Sequence, residues 1–310
     1  MKVLILAWGA DTGGQGYRLM EAFRDHSPDI TVRSAASSGN FMEYPSDLSW
    51  RRAELIETYL TADLIHVRNS FGGLHRLERN RRRQPEREGP RGLLIQYHGS
   101  RFRGMPEPFL VEQRHRGALG VASTLDLVEL APDEVRWLPA PYEESFLQGF
   151  RSPQEGPLVI AHAPSARMVK HTYEFLEVMR ELGRHHDIQL DLIEGRPWRE
   201  CLARKGRADI VYDQLLYGYG NNAIEAFGMG IPVVSGIQGE AARERMLAEW
   251  GELPFAEAQP ETLLKVLNEL IESEEARRLY ARRGMNHFRR FHAAPRVVER
   301  LSAIYREALG

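Results

Sequence analysis

One cysteine, Cys201, is all the thiol chemistry this 310-residue chain possesses. A lone thiol excludes an intrachain disulfide and any multi-cysteine metal site, and it fits a reducing, cytoplasmic compartment. Long apolar runs are missing too: nothing approaches the ~20 consecutive apolar residues of a membrane-spanning helix. The opening run, residues 3–8, is too short for a secretory signal and leads straight to Asp11, so it reads as a first strand. A soluble protein is expected, with peripheral membrane contact left open. Neither sign of charge prevails, since 41 Lys and Arg face 43 Asp and Glu for a net charge of −2. There is no global pull toward nucleic acid or anionic lipid, and any polyanion contact has to be local.

What is present is a repeated alternation. Short β-rich apolar runs alternate with helical patterns, the mark of βαβ units and mostly parallel sheets. Strands are expected at 3–8, 30–34, 64–68, 93–98, 119–123 and 136–138, with helices at 17–26 and 49–60, the latter started by Ser49 as a cap. Residues 139–157, with four prolines among acids and glycines, have the composition of a linker. The alternation then restarts: strands at 158–162, 189–193, 209–212 and 232–235, helices at 172–183, 198–204 and 222–228. Strong helical patterns at 261–271 and 276–291 precede a last helix opened by Pro295. At this length two domains of about 150 residues are the natural division. The expected division is 1–145 and 146–290, each a doubly wound α/β domain, with 291–310 a helix returning to the first.

Four segments carry candidate chemistry. Gly13 and Gly14 lie in the turn after the first strand, where glycines let a ligand approach and the next helix offers free amides to an anion; the same turn also reads as a plain tight turn. His98 ends a predicted strand, the end at which open α/β sheets bind ligands, or is a hydrogen-bonded structural residue. Ser165, Arg167 and Lys170 follow a strand of the second half. The two cations, one helical turn apart, suit a diphosphate, although a solvated basic face has the same spacing. The fourth segment runs Tyr217, Gly218, Tyr219, Gly220, Asn221, Asn222 and on to Glu225, then through Gly230 and Pro232 into an apolar strand. Glycines leading into a helix suit phosphate or sugar oxygens, and Glu225 reads as a ribose ligand or as a partner of the helix dipole.

This fourth segment resembles the donor-site signature of retaining GT-B glycosyltransferases of the glycogen-synthase and lipopolysaccharide-glucosyltransferase type. Glu225 matches the family's second acid, which holds the nucleotide ribose, and Gly218 and Gly220 match the loop beside sugar and phosphates. His162 to Ser165 with Arg167 and Lys170 is similar to its diphosphate-binding stretch, and His98-Gly99-Ser100 to its acceptor-domain histidine. Two positions depart: Tyr217 stands where the family has its first acid, and His171 where it prefers glycine. Residues 11–18 resemble glycosyltransferases of actinobacterial phages.

The resemblance implies a GT-B fold, two Rossmann-like domains facing a cleft with the C-terminal helix packed back on the first. It implies a metal-independent, cofactor-free transferase that moves a sugar from a UDP- or GDP-sugar with retention. His98, Arg167 and Lys170 would be catalytic. Gly13, Gly14, Ser165, residues 217–222 and Glu225 would bind the donor. The acceptor stays open among a glycan, a protein such as a virion component, and hydroxymethylated DNA, the last in host cytoplasm if the gene is a phage's. An arginine-rich stretch (Arg76, Arg79, Arg81, Arg82, Arg83, Arg87, Arg91) reads as a solvated face or as a guide for a polyanion. Tyr217 keeps a non-catalytic nucleotide- or sugar-binding module in play, and an epimerase of the same fold is a further alternative.

Overall fold

A computed structural model describes residues 1–39, 42–50, 53–84 and 86–310. The chain forms two compact units, one of Met1–Pro141 with Ala294–Gly310, the other of Tyr142–Ala293.

The first unit contains strands β1 (Lys2–Ala10), β2 (Thr31–Ser38), β3 (Leu48–Ser49), β4 (Leu64–Arg68), β5 (Gly92–Tyr97), β6 (Leu119–Ala122) and β7 (Val135–Trp137). Its helices are α1 (Gln15–His26), α2 (Ala53–Thr61), α3 (Leu74–Arg82), α4 (Gly99–Gly104), α5 (Pro106–Arg116) and α6 (Leu125–Val128). All seven strands are parallel, in the order β3-β2-β1-β4-β5-β6-β7. Val3 to Ala7 are all buried, as a strand covered on both faces requires. Leu19, Ala22 and Phe23 repeat at helical spacing and give α1 the apolar stripe that packs on this sheet.

The second unit contains α7 (Glu144–Gln148), β8 (Leu158–His162), α8 (Thr172–Leu182), β9 (Ile188–Leu192), α9 (Trp198–Lys205), β10 (Ile210–Tyr212), α10 (Asn221–Gly228), β11 (Val233–Ser235), α11 (Glu240–Trp250), β12 (Ala256–Glu257), α12 (Leu263–Glu272) and α13 (Glu274–His287). Its strands are also parallel, ordered β12-β11-β10-β8-β9. In both sheets the order reverses direction once, beside β1 in the first and beside β8 in the second. The carboxyl ends of strands at such a reversal are where doubly wound sheets hold ligands.

The last helix, α14 (Ala294–Glu307), belongs to the first unit. Val297, Leu301, Ile304 and Tyr305 enter the same core as Phe23 and Leu64, and the Tyr305 hydroxyl meets His66 Nδ1 at 2.9 Å. Each such buried side chain contributes about 1.5–3 kcal/mol, so the helix is part of that unit's core.

One expectation needs correction. Ser49 caps no helix in the structure: it lies in β3, because its neighbour Leu48 turns inward beside Ala35. Residues 51–52, inside the expected helix, lie outside the described residues. Within residues 139–157 the first unit's leading segment ends at Pro141 and the second unit begins at Tyr142; Ala140, Tyr142 and Leu147 are buried there and α7 forms. Phe146 and Phe150 of the same stretch stay half-buried.

Candidate functional site

In the second unit the site is built around the start of α10. β10 ends at Tyr212, and Asp213 beyond it is fully buried. Its Oδ2 accepts the Gly220 N–H at 2.6 Å, and its Oδ1 accepts Lys170 Nζ at 2.8 Å. A Cβ on Gly220 would lie 3.3 Å from that Nζ, so ammonium and helix start share one spot, which the absent side chain keeps open. Gly218 has φ +78°, and a Cβ there would press to 2.8 Å on Met246, so the loop needs glycine twice over. This spot stands beyond the carboxyl ends of β8 and β10, at the reversal of strand order. A helix N-terminus with a half-buried ammonium beside it is an anion seat.

Arg167 is placed differently. The segment after β8 is a series of turns, not a helix, so the one-turn spacing read from the sequence does not aim both cations alike. Arg167 forks onto Glu194, with Nε to Oε1 at 2.8 Å, whereas Lys170 turns to Asp213. Ser165 is exposed in the same turns. His171 takes φ +50°, the left-handed region, which gives a backbone reason for the family's glycine there.

Glu225 faces the interior. Its side chain is buried, Oε1 accepts Trp198 Nε1 at 2.8 Å and Tyr142 Oη–H at 3.0 Å, and Oε2 pairs with Lys205. Lys205 also donates to Asn222 Oδ1 at 2.9 Å. Burial opposes the charge on Lys205, yet its neighbours, Glu225 among them, hold its pKa above the ordinary value. Glu225 is thus an anchor for α10, and its hydrogen bonds serve the protein; the ribose contact implied by the resemblance is not what they make. Tyr219 is likewise internal, its hydroxyl lying 2.6 Å from His287 Nε2 and 2.7 Å from His292 Nε2. Tyr217, at the missing acid's position, is half-buried and bridges to Ile237. Asn221 opens α10, and Asn222 Nδ2 has no hydrogen-bond partner among the described residues.

In the first unit, Asp11 occupies the helix start that the glycine turn was expected to offer. Its carboxylate accepts the amides of Gly16 and Tyr17, both at 3.0 Å, and pairs with Arg68 from the end of β4. Gly13 and Gly14 therefore shape a turn already filled by the chain's own anion, and Gly14 lies against the Tyr44 ring. The fully buried Arg68 donates from Nη2 and Nε to His98 Nε2, at 2.8 and 3.2 Å. A guanidinium only donates, so Nε2 is the acceptor, and the neutral ring carries its proton on Nδ1 and donates it to Ser123 Oγ at 2.9 Å. Burial, then the charge of Arg68, pushes the His98 pKa well down. With both nitrogens engaged and protonation suppressed, His98 orients Arg68 and is not placed to exchange a proton.

The arginine-rich stretch ends α3 and borders a cavity of about 530 Å3 lined by Arg81, Arg82, Arg91, Arg116 and Glu78 among others. Ile65, Gly92 and Leu93 in its lining place it at the amino ends of β4 and β5. Arg81, Arg82 and Arg116 sit in the last turns of α3 and α5, where the negative ends of the helix dipoles favour cations. That accounts for them without a polyanion. Among the described residues no three His, Cys, Asp or Glu side chains group as metal ligands, and no helix is long and apolar enough to cross a membrane.

Sequence reasoning missed Asp11, Arg68, Asp213 and Lys205. The signal for Arg68 was present, a charged residue closing the apolar run 64–68, but its partner Asp11 is remote in sequence.

No protein-family model and no curated protein matches the chain. Solved structures do. The HepE protein of Anabaena in complex with UDP-glucose aligns with TM-score 0.66 and 12% identity over 99% of this chain and 100% of that one. An α-glucosyltransferase in complex with UDP and a 13-mer DNA containing an HMU base aligns with TM-score 0.69 and 8% identity over 99% of each chain. Sucrose-phosphate synthase from Thermosynechococcus elongatus aligns with TM-score 0.56 and 11% identity, again over 99% of each. The fold is GT-B, as the resemblance implied.

Proposed function

We propose that the chain is a glycosyltransferase that takes a sugar from a nucleoside-diphosphate sugar, UDP-sugars being the first to try, and passes it to an acceptor hydroxyl. The observation that carries this is the meeting of Lys170 with the start of α10 at the strand reversal of the second unit. The UDP-glucose complex of HepE and the UDP complex of the α-glucosyltransferase support it.

In this reading the diphosphate sits on the α10 amides beside Lys170, with Arg167 at the exposed rim and Asn222 offering its free amide. Asp213 fixes the ammonium, and Glu225 with Lys205 holds the helix. The acceptor oxygen bonds to the anomeric carbon on the face the diphosphate leaves. The old carbon–oxygen bond breaks with its electron pair going to the phosphate oxygen, and the acceptor's proton follows it there. Configuration is retained. Negative charge grows on the diphosphate as this happens, so a fixed cation and fixed amides stabilise the transition state more than the ground state, which is the task a metal would otherwise perform. His98 and Arg68 contribute a rigid wall in the first unit, not proton transfer.

The test is to incubate the protein with a panel of nucleotide sugars and candidate acceptors and to measure free nucleoside diphosphate, with Lys170→Ala as control. Release that depends on Lys170 supports transfer. Binding of a donor with no release under any acceptor favours a non-catalytic module, the reading that Tyr217 keeps alive.

A further inference from the structure

Trp8 is 52% exposed, although it directly follows the five buried residues Val3 to Ala7 of β1. The other tryptophans are covered: Trp137, Trp198 and Trp250 lie in cores, and Trp50 is half-buried. Trp8 does not hang free. Its ring meets Trp50 edge-on, with centroids 5.7 Å apart and planes at 61°. Beneath the pair lie Gly72 and Gly73. A Cβ on Gly72 would come within 3.2 Å of the Trp8 indole, and one on Gly73 within 2.6 Å of Trp50 and 3.0 Å of Trp8. Neither glycine has a positive φ, so the turn does not need them for its backbone; space for the two rings is what they supply. Two indoles seated on a double-glycine floor form a built platform. It stands at the carboxyl ends of β1 and β4, where the strand order reverses.

We infer that this platform binds a neutral sugar ring, so that the acceptor is a glycan. The inference rests on the transferase reading and names its acceptor class. The electron-rich face of an indole attracts the weakly positive C–H face of a pyranose, while hydroxyls around the rim reach polar groups. Among the described residues the neighbours fit a neutral ligand: Ser70 and Trp8 both border Gly72, Ser37 holds the amide of Gly9, and the charges of Asp11 and Arg68 are paired with each other. A single-stranded nucleic acid stacked on the same rings would call for a basic groove beside them. Among the described residues, the basic cavity of this unit lies at the amino ends of the strands instead.

Because Trp8 is the one markedly exposed tryptophan, its emission reports on the platform. The wild-type chain, without any donor, is titrated with maltose, cellobiose, lactose, mannobiose and chitobiose, and with an oligonucleotide containing hydroxymethyluracil. At least one oligosaccharide is expected to shift the emission, and calorimetry with that sugar is expected to show Trp8→Ala weakened about tenfold and Trp8→Phe much less. The inference is overturned if no oligosaccharide binds at millimolar concentration, if Trp8→Ala binds as tightly as wild type, or if only the oligonucleotide binds. None of these outcomes touches the donor seat, which is tested through Lys170.

Discussion

The carboxylate of Asp213 holds the ammonium of Lys170 at 2.8 Å while its other oxygen accepts the amide of Gly220, the residue that caps the start of α10. Asp11 stands in the same relation to Arg68 and α1 in the first unit. In each unit an internal carboxylate neutralises a cation at a helix start, and in the second that start is the proposed diphosphate seat. Asp213→Asn keeps an acceptor for the Gly220 amide and removes the negative charge. Nucleoside diphosphate should then bind several-fold more tightly, since an anion no longer repels it. Titration calorimetry checks the sign, and weaker binding would show that the carboxylate's hold on Lys170 matters more than its charge.

The pair Lys205 and Glu225 is buried on both sides. Breaking one partner strands the other, so Lys205→Met should cost about 3–5 kcal/mol in urea unfolding, and adding Glu225→Leu should restore much of it. If the single change is harmless, the anchor assigned to Glu225 is not one.

His171 holds a left-handed conformation, which costs a non-glycine residue about 1–2 kcal/mol. His171→Gly should therefore be no less stable than the parent, despite glycine's freer unfolded chain, and should keep its activity. A marked loss of unfolding free energy would mean that the imidazole makes a contact worth more than the strain.

Four of the five buried histidines weaken the fold in acid. Burial, as the leading cause in each, pulls His66 down to about 3 and His162 to about 4, and places His98 and His287 well below their ordinary value. Their folded-state pKa values are depressed, so the unfolded chain takes up protons first as pH falls. Stability from this source is complete above the ordinary histidine pKa of about 6.5 and declines as pH falls, past about 4, where His162 itself protonates, and on to about 3 for His66. Each histidine contributes a slope of up to about 1.4 kcal/mol per pH unit. Unfolding midpoints that stay flat over that interval would contradict the burial of these rings.

Much of the fold was legible because buried parallel strands announce themselves as short apolar runs: 3–8, 64–68 and 158–162 each mark a strand. Short edge strands were not. Leu48–Ser49 and Ala256–Glu257 carry too few residues for a period to show. The site was legible by type and less so by direction. Lys170 lies beside Gly220, whereas the sequence paired Lys170 with Arg167. Which way Glu225, Tyr219 and His98 face depends on Lys205, His287, His292 and Arg68, and no local pattern links these partners. A polar residue at a strand end looks the same in sequence whether it serves a ligand or the chain's own opposite charge.

The most direct test of the donor seat is calorimetric titration of UDP, with GDP alongside, into the wild-type chain and Lys170→Ala. The account predicts saturable binding of one of them, weakened at least about tenfold by the substitution, as loss of one charge-assisted contact entails. Equal affinity in the two proteins would contradict it, for the diphosphate would then rest somewhere other than the start of α10.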